Sequence, residues 1–204
     1  MSERQLVGNG VDLVRERALA RTVQRALERL YQIEDGPDVH AFVQPVCEGE
    51  RESLRLRQGE DGVLEIALHL PSLTSSLDAL CQLIEGVSHF VYVAERARVN
   101  RGTTQLELEL QAEIDKYVVL LAGTPSVAHS ESLRERLYEH VRFQHAPGSE
   151  PGDRYRVANA TAAKFARRLE REFIAPRRLL PMRDELRRFF RMGQADKLRF
   201  ATAS

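Results

Sequence analysis

The chain has 204 residues, 30 Lys/Arg against 30 Asp/Glu, and is 43% hydrophobic and 29% charged. This is the composition of an ordinary globular chain long enough to bury a core, and it excludes a disulfide-rich miniprotein, a low-complexity tract and a bundle of membrane spans. The charge is unevenly spread: residues 1–129 carry 13 Lys/Arg and 20 Asp/Glu, whereas residues 130–204 carry 17 and 10. An acidic body followed by a basic region is read foremost as pairing within the chain or with a protein partner, and alternatively as contact with nucleic acid. MSERQLVGNG lacks a signal-peptide apolar region and no apolar run approaches the ~20 residues of a membrane span, so a cytoplasmic protein that does not enter the membrane is expected. Cys47 and Cys81 are expected to be reduced structural thiols.

From Val11 to Ile33 the positions Leu19, Val23, Ala26, Leu27, Leu30 and Ile33 recur at helical spacing. After Asp35-Gly36-Pro37, Val39 to Val46 reads as a strand. Residues 52–58 and 63–70, flanking the turn formers of 59–62, read as a hairpin. Together these three segments predict an antiparallel meander. Pro71 ends it, and Ser75 with Asp78 predicts the start of a long helix. Asn100-Arg101-Gly102 breaks that helix, and Thr104 with Glu107 forms a second capping-box signal. QLELELQ at 105–111 alternates like a strand. Its continuation through AEIDKYVVLLAG without a turn, with Leu106, Leu110, Ile114, Tyr117 and Leu121 recurring, favours one long helix instead. A helix from about Ser130 to Phe143, a linker at 145–153, and helices near 154–175 and 181–192 follow. The predicted fold class is α+β: a helix, a small three-stranded antiparallel sheet, two long packed helices and a helical C-terminal part. The acidic body is assigned to residues 1–145 and the basic helical region to 146–204.

The first long helix carries Asp78, Gln82, Glu85, His89, Tyr92 and Arg96 at alternating spacings of three and four, so they fall in one stripe on an otherwise apolar helix. Glu85 and His89 project the same way and can share one ion, and Glu109 and Glu113 have the same relationship on the next helix. Antiparallel pairing of the two helices would bring Glu113 to His89 and assemble a Glu, His, Glu set suited to a divalent metal, with Glu109 as a further candidate. The alternative for the stripe is a polar face turned to water or salt-bridged to the basic region. No Gly-rich phosphate loop and no GxSxG elbow occurs.

EGVSHF at 85–90 followed by ELQAEIDKYVVLLA at 109–122, after a helix and a small sheet, resembles the minimal zincin metallopeptidases of the ImmA/IrrE type. In that resemblance Glu85 stands at the first histidine, Gly86 at the catalytic glutamate, His89 at the second histidine and Glu113 at the downstream ligand. Glycine cannot take a proton from a metal-bound water, so the resemblance implies a scaffold that has lost peptidase chemistry. A set with two carboxylates and one imidazole is more oxygen-rich than the zincin set, which makes Mn or Fe as suitable as Zn. The expected function is a catalytically impaired zincin-like regulator, adaptor or assembly subunit that works through protein contacts. The alternatives are a metal-dependent hydrolase using Glu85, His89 and Glu113, and a nucleic-acid-binding protein; no catalytic residue is assigned.

The nucleic-acid-binding alternative rests on the last helices. Arg156, Lys164, Arg167, Arg171, Arg187 and Arg191 form the candidate anion-binding set there, because helically spaced Ala158, Ala162, Phe165, Leu169 and Phe173 turn the basic residues outward. Phe189 and Phe190 are expected to be core anchors rather than stacking platforms.

Overall fold

The computed structural model describes residues 3–45, 52–58, 64–70 and 76–203. The first helical pattern forms α1, Glu3–Tyr31, which buries Ala20, Val23, Leu27 and Tyr31. Gln32, in the left-handed region at φ 57°, ends it. Asp38 then caps a short 3-10 turn at Val39–Ala41 by accepting from the His40 N–H, so the predicted strand narrows to β1, Val43–Pro45.

The hairpin arms are β2, Ser53–Gln58, and β3, Leu64–Leu70, paired antiparallel with Leu54 opposite Leu68 and Leu56 opposite Ile66. The predicted turn at 59–62, Pro71, Ser75 and Cys47 lie outside the described residues. The sheet is mixed rather than an antiparallel meander. Its order is β1-β3-β2, and β1 runs parallel to β3 with Val43 opposite Leu68. β3 is the strand that must be covered, since Leu68 and Leu70 are fully buried; a central position gives it a hydrogen-bonded neighbour on each side. β1, three residues long and ending in Pro45, forms a blunt edge.

β3 packs on α2, Leu77–Arg98, whose N-cap is Ser76 accepting from the Ala79 N–H. Asn100, at φ 54°, reverses the chain, and the predicted capping box of Thr104 and Glu107 opens α3, Gln105–Leu121. The alternating stretch is therefore helical. Contacts from Arg96 to Glu107, His89 to Glu109 and Glu85 to Lys116 run in opposite chain directions, so α2 and α3 are antiparallel. α2 also packs on α1, which makes it the central helix of the fold and explains why its polar stripe is largely buried.

α4, Val127–Arg134, continues into a π-helical turn at Glu135–Glu139. The stretch read as a linker supplies Ser149 as the N-cap of α5, Glu150–Leu169, which ends in a second π-helical turn at Glu170–Ile174. α6, Leu179–Arg191, and α7, Gln194–Thr202, complete the chain; α7 has no counterpart in the periodicity reading. α5 and α7 lie against α3, and α6 lies against α1. Phe189 and Phe190 are core residues as expected, with Phe190 stacked on Tyr31 at a centroid distance of 4.1 Å. No helix among the described residues is long and apolar enough to cross a membrane.

Candidate metal centre and the cleft beside it

The alternation of α3 has a geometric consequence. On a helix, positions two apart differ by about 200°, so the polar residues at 107, 109, 111, 113 and 115 divide between two opposite flanks. Glu107, Gln111 and Asp115 face one way, Glu109 and Glu113 the other. α2 borders both flanks, and the predicted stripe splits between two polar clusters.

The first cluster contains Glu85 and His89 of α2 with Glu109 of α3, each offering one ligand atom within 4.8 Å of the others. His89 Nε2 lies 4.0 Å from Glu109 Oε2. That nitrogen is buried and has no hydrogen-bond partner, and the histidine is 9% exposed. Burial holds the His89 pKa below the ordinary histidine value. Glu85 opposes this, Lys116 reinforces it, and a hydrogen bond with the Leu108 backbone opposes it. A neutral ring with its proton directed to the Leu108 backbone presents the Nε2 lone pair to the carboxylates, which is the form a metal takes.

Glu109 is 5% exposed, and burial raises its pKa to about 8; Glu85 adds to the rise, while Arg154, Lys116 and a hydrogen bond with Tyr155 oppose it. Arg154 Nε is 3.9 Å from Glu109 Oε1. Glu113, expected at the ion, lies one turn further along α3, where Lys116 Nζ bridges it at 2.8 Å and Glu85 at 3.0 Å. Burial alone would lower the Lys116 pKa, but Glu113 and Glu85 outweigh it and hold the amine charged. The structure thus gathers Glu85, His89 and Glu109 and gives Glu113 to a lysine.

Gly86 faces the sheet. A Cβ there would stand 2.8 Å from Leu68 Cδ1, 3.1 Å from Leu70 Cδ2 and 3.3 Å from Glu52 Oε2. The glycine lets α2 approach β3 closely, so a glutamate introduced at this position would be forced against two leucines and the Glu52 carboxylate. Gly86→Glu is expected to cost about 3 kcal/mol or more through overpacking and burial of a carboxylate, measured by urea unfolding.

The second cluster lies on the opposite flank. Arg96 Nη2 and Tyr92 Oη donate to Glu107 Oε1 at 2.9 and 3.0 Å. Asp115 accepts from Ser88 Oγ at 2.6 Å, from Gln111 Nε2 at 2.9 Å and from Tyr31 Oη. Burial lifts the Asp115 pKa to about 6 against those donors. Lys197 of α7 is fully buried, donates to Gln111 Oε1, and sits 4.6 and 4.3 Å from the ring centres of Tyr92 and Phe189. Its pKa falls to about 7, chiefly through burial. Of the remaining stripe, Asp78 accepts from Gln82 Nε2 at 2.7 Å, and Gln82 Oε1 accepts from the Glu52 N–H at 3.3 Å.

A cleft of about 680 Å³ opens beside the first cluster and reaches it through Glu85 and Tyr155. Asp78, Glu85, Glu113 and Lys116 of α2 and α3 line it together with Arg136, Leu137 and residues 140–145 of the segment after α4. Of the candidate anion-binding set, Arg156 donates to the Gly152 and His145 carbonyls, Arg167 pairs with Glu139, Arg171 with Glu172, and Arg187 with Asp184 and the Leu30 carbonyl. Lys164 and Arg191 are exposed. These six are spread along α5, its π-helical turn and α6, and four already bind carboxylates or carbonyls. Arg134 is likewise held, by Glu170.

Compared with family models, curated proteins and solved structures, the chain matches none of them.

Lys116, Arg154, Tyr155 and Lys197 were not legible as site residues by motif. One signal does mark two of them: the chain has only three lysines among its 30 basic residues, and two of these, Lys116 and Lys197, are the buried ones. Where arginine is the default cation, a compact amine stands out as a fitted group.

Proposed function

We propose that the chain binds one divalent cation through Glu85, His89 and Glu109 and uses it as a metal-dependent hydrolase in the adjoining cleft. The single observation behind this reading is the buried, partnerless Nε2 of His89 held beside two carboxylates. An imidazole in that position loses its water without gaining a hydrogen bond, and an ion would satisfy it. Two oxygens and one nitrogen suit Mn, Fe or Zn, and a divalent ion supplies Lewis acidity to water or to a polar substrate group. Glu85 and Tyr155 connect the site to the cleft, Arg154 and Lys116 balance its carboxylates, and Tyr155 orients Glu109.

The noncatalytic reading, a zincin-like scaffold acting through protein contacts, is favoured by a different observation. Lys116 already bridges Glu85 and Glu113, and Gly86 faces the sheet instead of a reacting group. Elemental analysis and native mass spectrometry after loading with Mn²⁺, Fe²⁺ or Zn²⁺ separate the two. The hydrolase reading expects one ion per chain, lost in His89→Ala while the chelated variant keeps its melting temperature within a few degrees. Protein that takes up no ion, or an ion retained by His89→Ala, overturns it.

A further inference from the structure

The cleft lining draws acids and Lys116 from α2 and α3 and basic residues from the segment after α4. Arg136 lies on the π-helical turn after α4, and Arg142 follows it in the segment that also carries His140 and His145 into the cleft wall. Arg136 and Arg142 are exposed, and neither makes a hydrogen bond or ion pair among the described residues. Their neighbours do otherwise: Arg134 pairs with Glu170, Arg154 with Glu150 and Arg167 with Glu139. A π-helical turn displaces the residues after it relative to an α-helix, and such turns recur at binding sites.

We infer that the cleft binds a small anionic molecule, its phosphate or carboxylate held by Arg136 and Arg142 and its other end turned toward Glu85 and Tyr155. Guanidinium forks suit both anions. The volume of about 680 Å³ is that of a site for a small molecule rather than a folded partner. Leu137, Val141 and Phe143 give the same wall an apolar stretch for the ligand's carbon skeleton.

The inference rests on the hydrolase reading and deepens it by naming its substrate class; Lys116 already offsets Glu85 and Glu113 at the cleft wall, so an anion can approach them, and a metal at Glu85, His89 and Glu109 would strengthen that approach. The test is phosphorus NMR titration of inorganic phosphate, with citrate as the competing carboxylate probe. It is run on the full chain in EDTA and again after Mn²⁺ loading, with affinity in the loaded arm read from thermal shifts because Mn²⁺ broadens the resonances. Phosphate or citrate is expected to bind the wild type, with at least a tenfold loss in Arg136→Gln/Arg142→Gln at unchanged melting temperature. Displacement of phosphate by citrate assigns both anions to one place, and binding of only one of them names the preferred group. Equal affinity of wild type and double variant in both arms, or no binding of either anion, overturns the inference. If Mn²⁺ fails to bind while arginine-dependent anion binding persists in EDTA, the hydrolase reading falls and the anion site stands.

Discussion

Glu109→Gln is expected to melt at a higher temperature than the wild type in chelator at pH 8, and to lose the stabilisation that a metal confers. The Glu109 pKa is raised to about 8 by burial and by Glu85, whereas an unfolded chain releases this proton near the ordinary glutamate value. Between those two values the folded state holds more protons than the unfolded state, so metal-free stability falls as pH rises from the ordinary range to about 8. Glutamine removes the ionisation and with it that loss. For the wild type, an ion at one hundred times its Kd contributes about 2.7 kcal/mol, which in a chain of this size is roughly 5–10 °C in Tm. The same proton competes with the metal, so affinity should rise with pH and level off above about 8, with proton release detectable by calorimetry in buffers of different ionisation enthalpy. A Glu109→Gln variant that still gains several degrees on metal addition would remove Glu109 from the ligand set.

Lys197→Ala is expected to lose about 3–5 kcal/mol, a cost of the size met on truncating a large core side chain. Its amine is fully enclosed between Tyr92 and Phe189 and bonded to Gln111. Truncation leaves both a void and an unsatisfied amide beside Asp115. Lys197→Met fills the volume and should recover much of the loss. The pH dependence is a second readout. With a folded pKa of about 7 against an unfolded value in the ordinary lysine range, the unfolded chain binds the extra proton above pH 7, so wild-type stability should gain from this group as pH rises from 7 toward 10. Urea midpoints at pH 7 and 9 would show that gain shrink in Lys197→Met, and an unchanged pH response would mean that Lys197 is not the group responsible.

The elements of this fold were legible where one signal dominated. α1 and α3 follow from apolar recurrence, and the Thr104 and Glu107 pair marks the start of α3 to the residue. The direction of β1 was not legible, because three residues ending in proline say nothing about which neighbour they will meet. α7 was missed because Gln194 to Thr202 is too short for a helical period to declare itself, and its buried residues are Lys197 and Ala201 rather than a large apolar anchor. At the candidate site, i to i+4 spacing picked out Glu85 with His89 and Glu109 with Glu113. Which glutamate meets the imidazole depends on the axial offset of α2 against α3, a property of packing that neither helix encodes alone. Arg154 and Tyr155 approach Glu109 from α5, some 45 positions away in sequence, and no local pattern announces them.

The division of α3 into two polar flanks also fixes its setting. A helix with one wet side and one greasy side can roll a little, or slip by a residue, and still satisfy its surroundings. α3 cannot, because Glu109 has to meet His89 while Asp115 meets Tyr31 and Ser88 on the far side, like a key cut on both edges. These buried charges add little net stability, and we assign their value to uniqueness: any misthreaded docking of α3 strands ions on both edges at once.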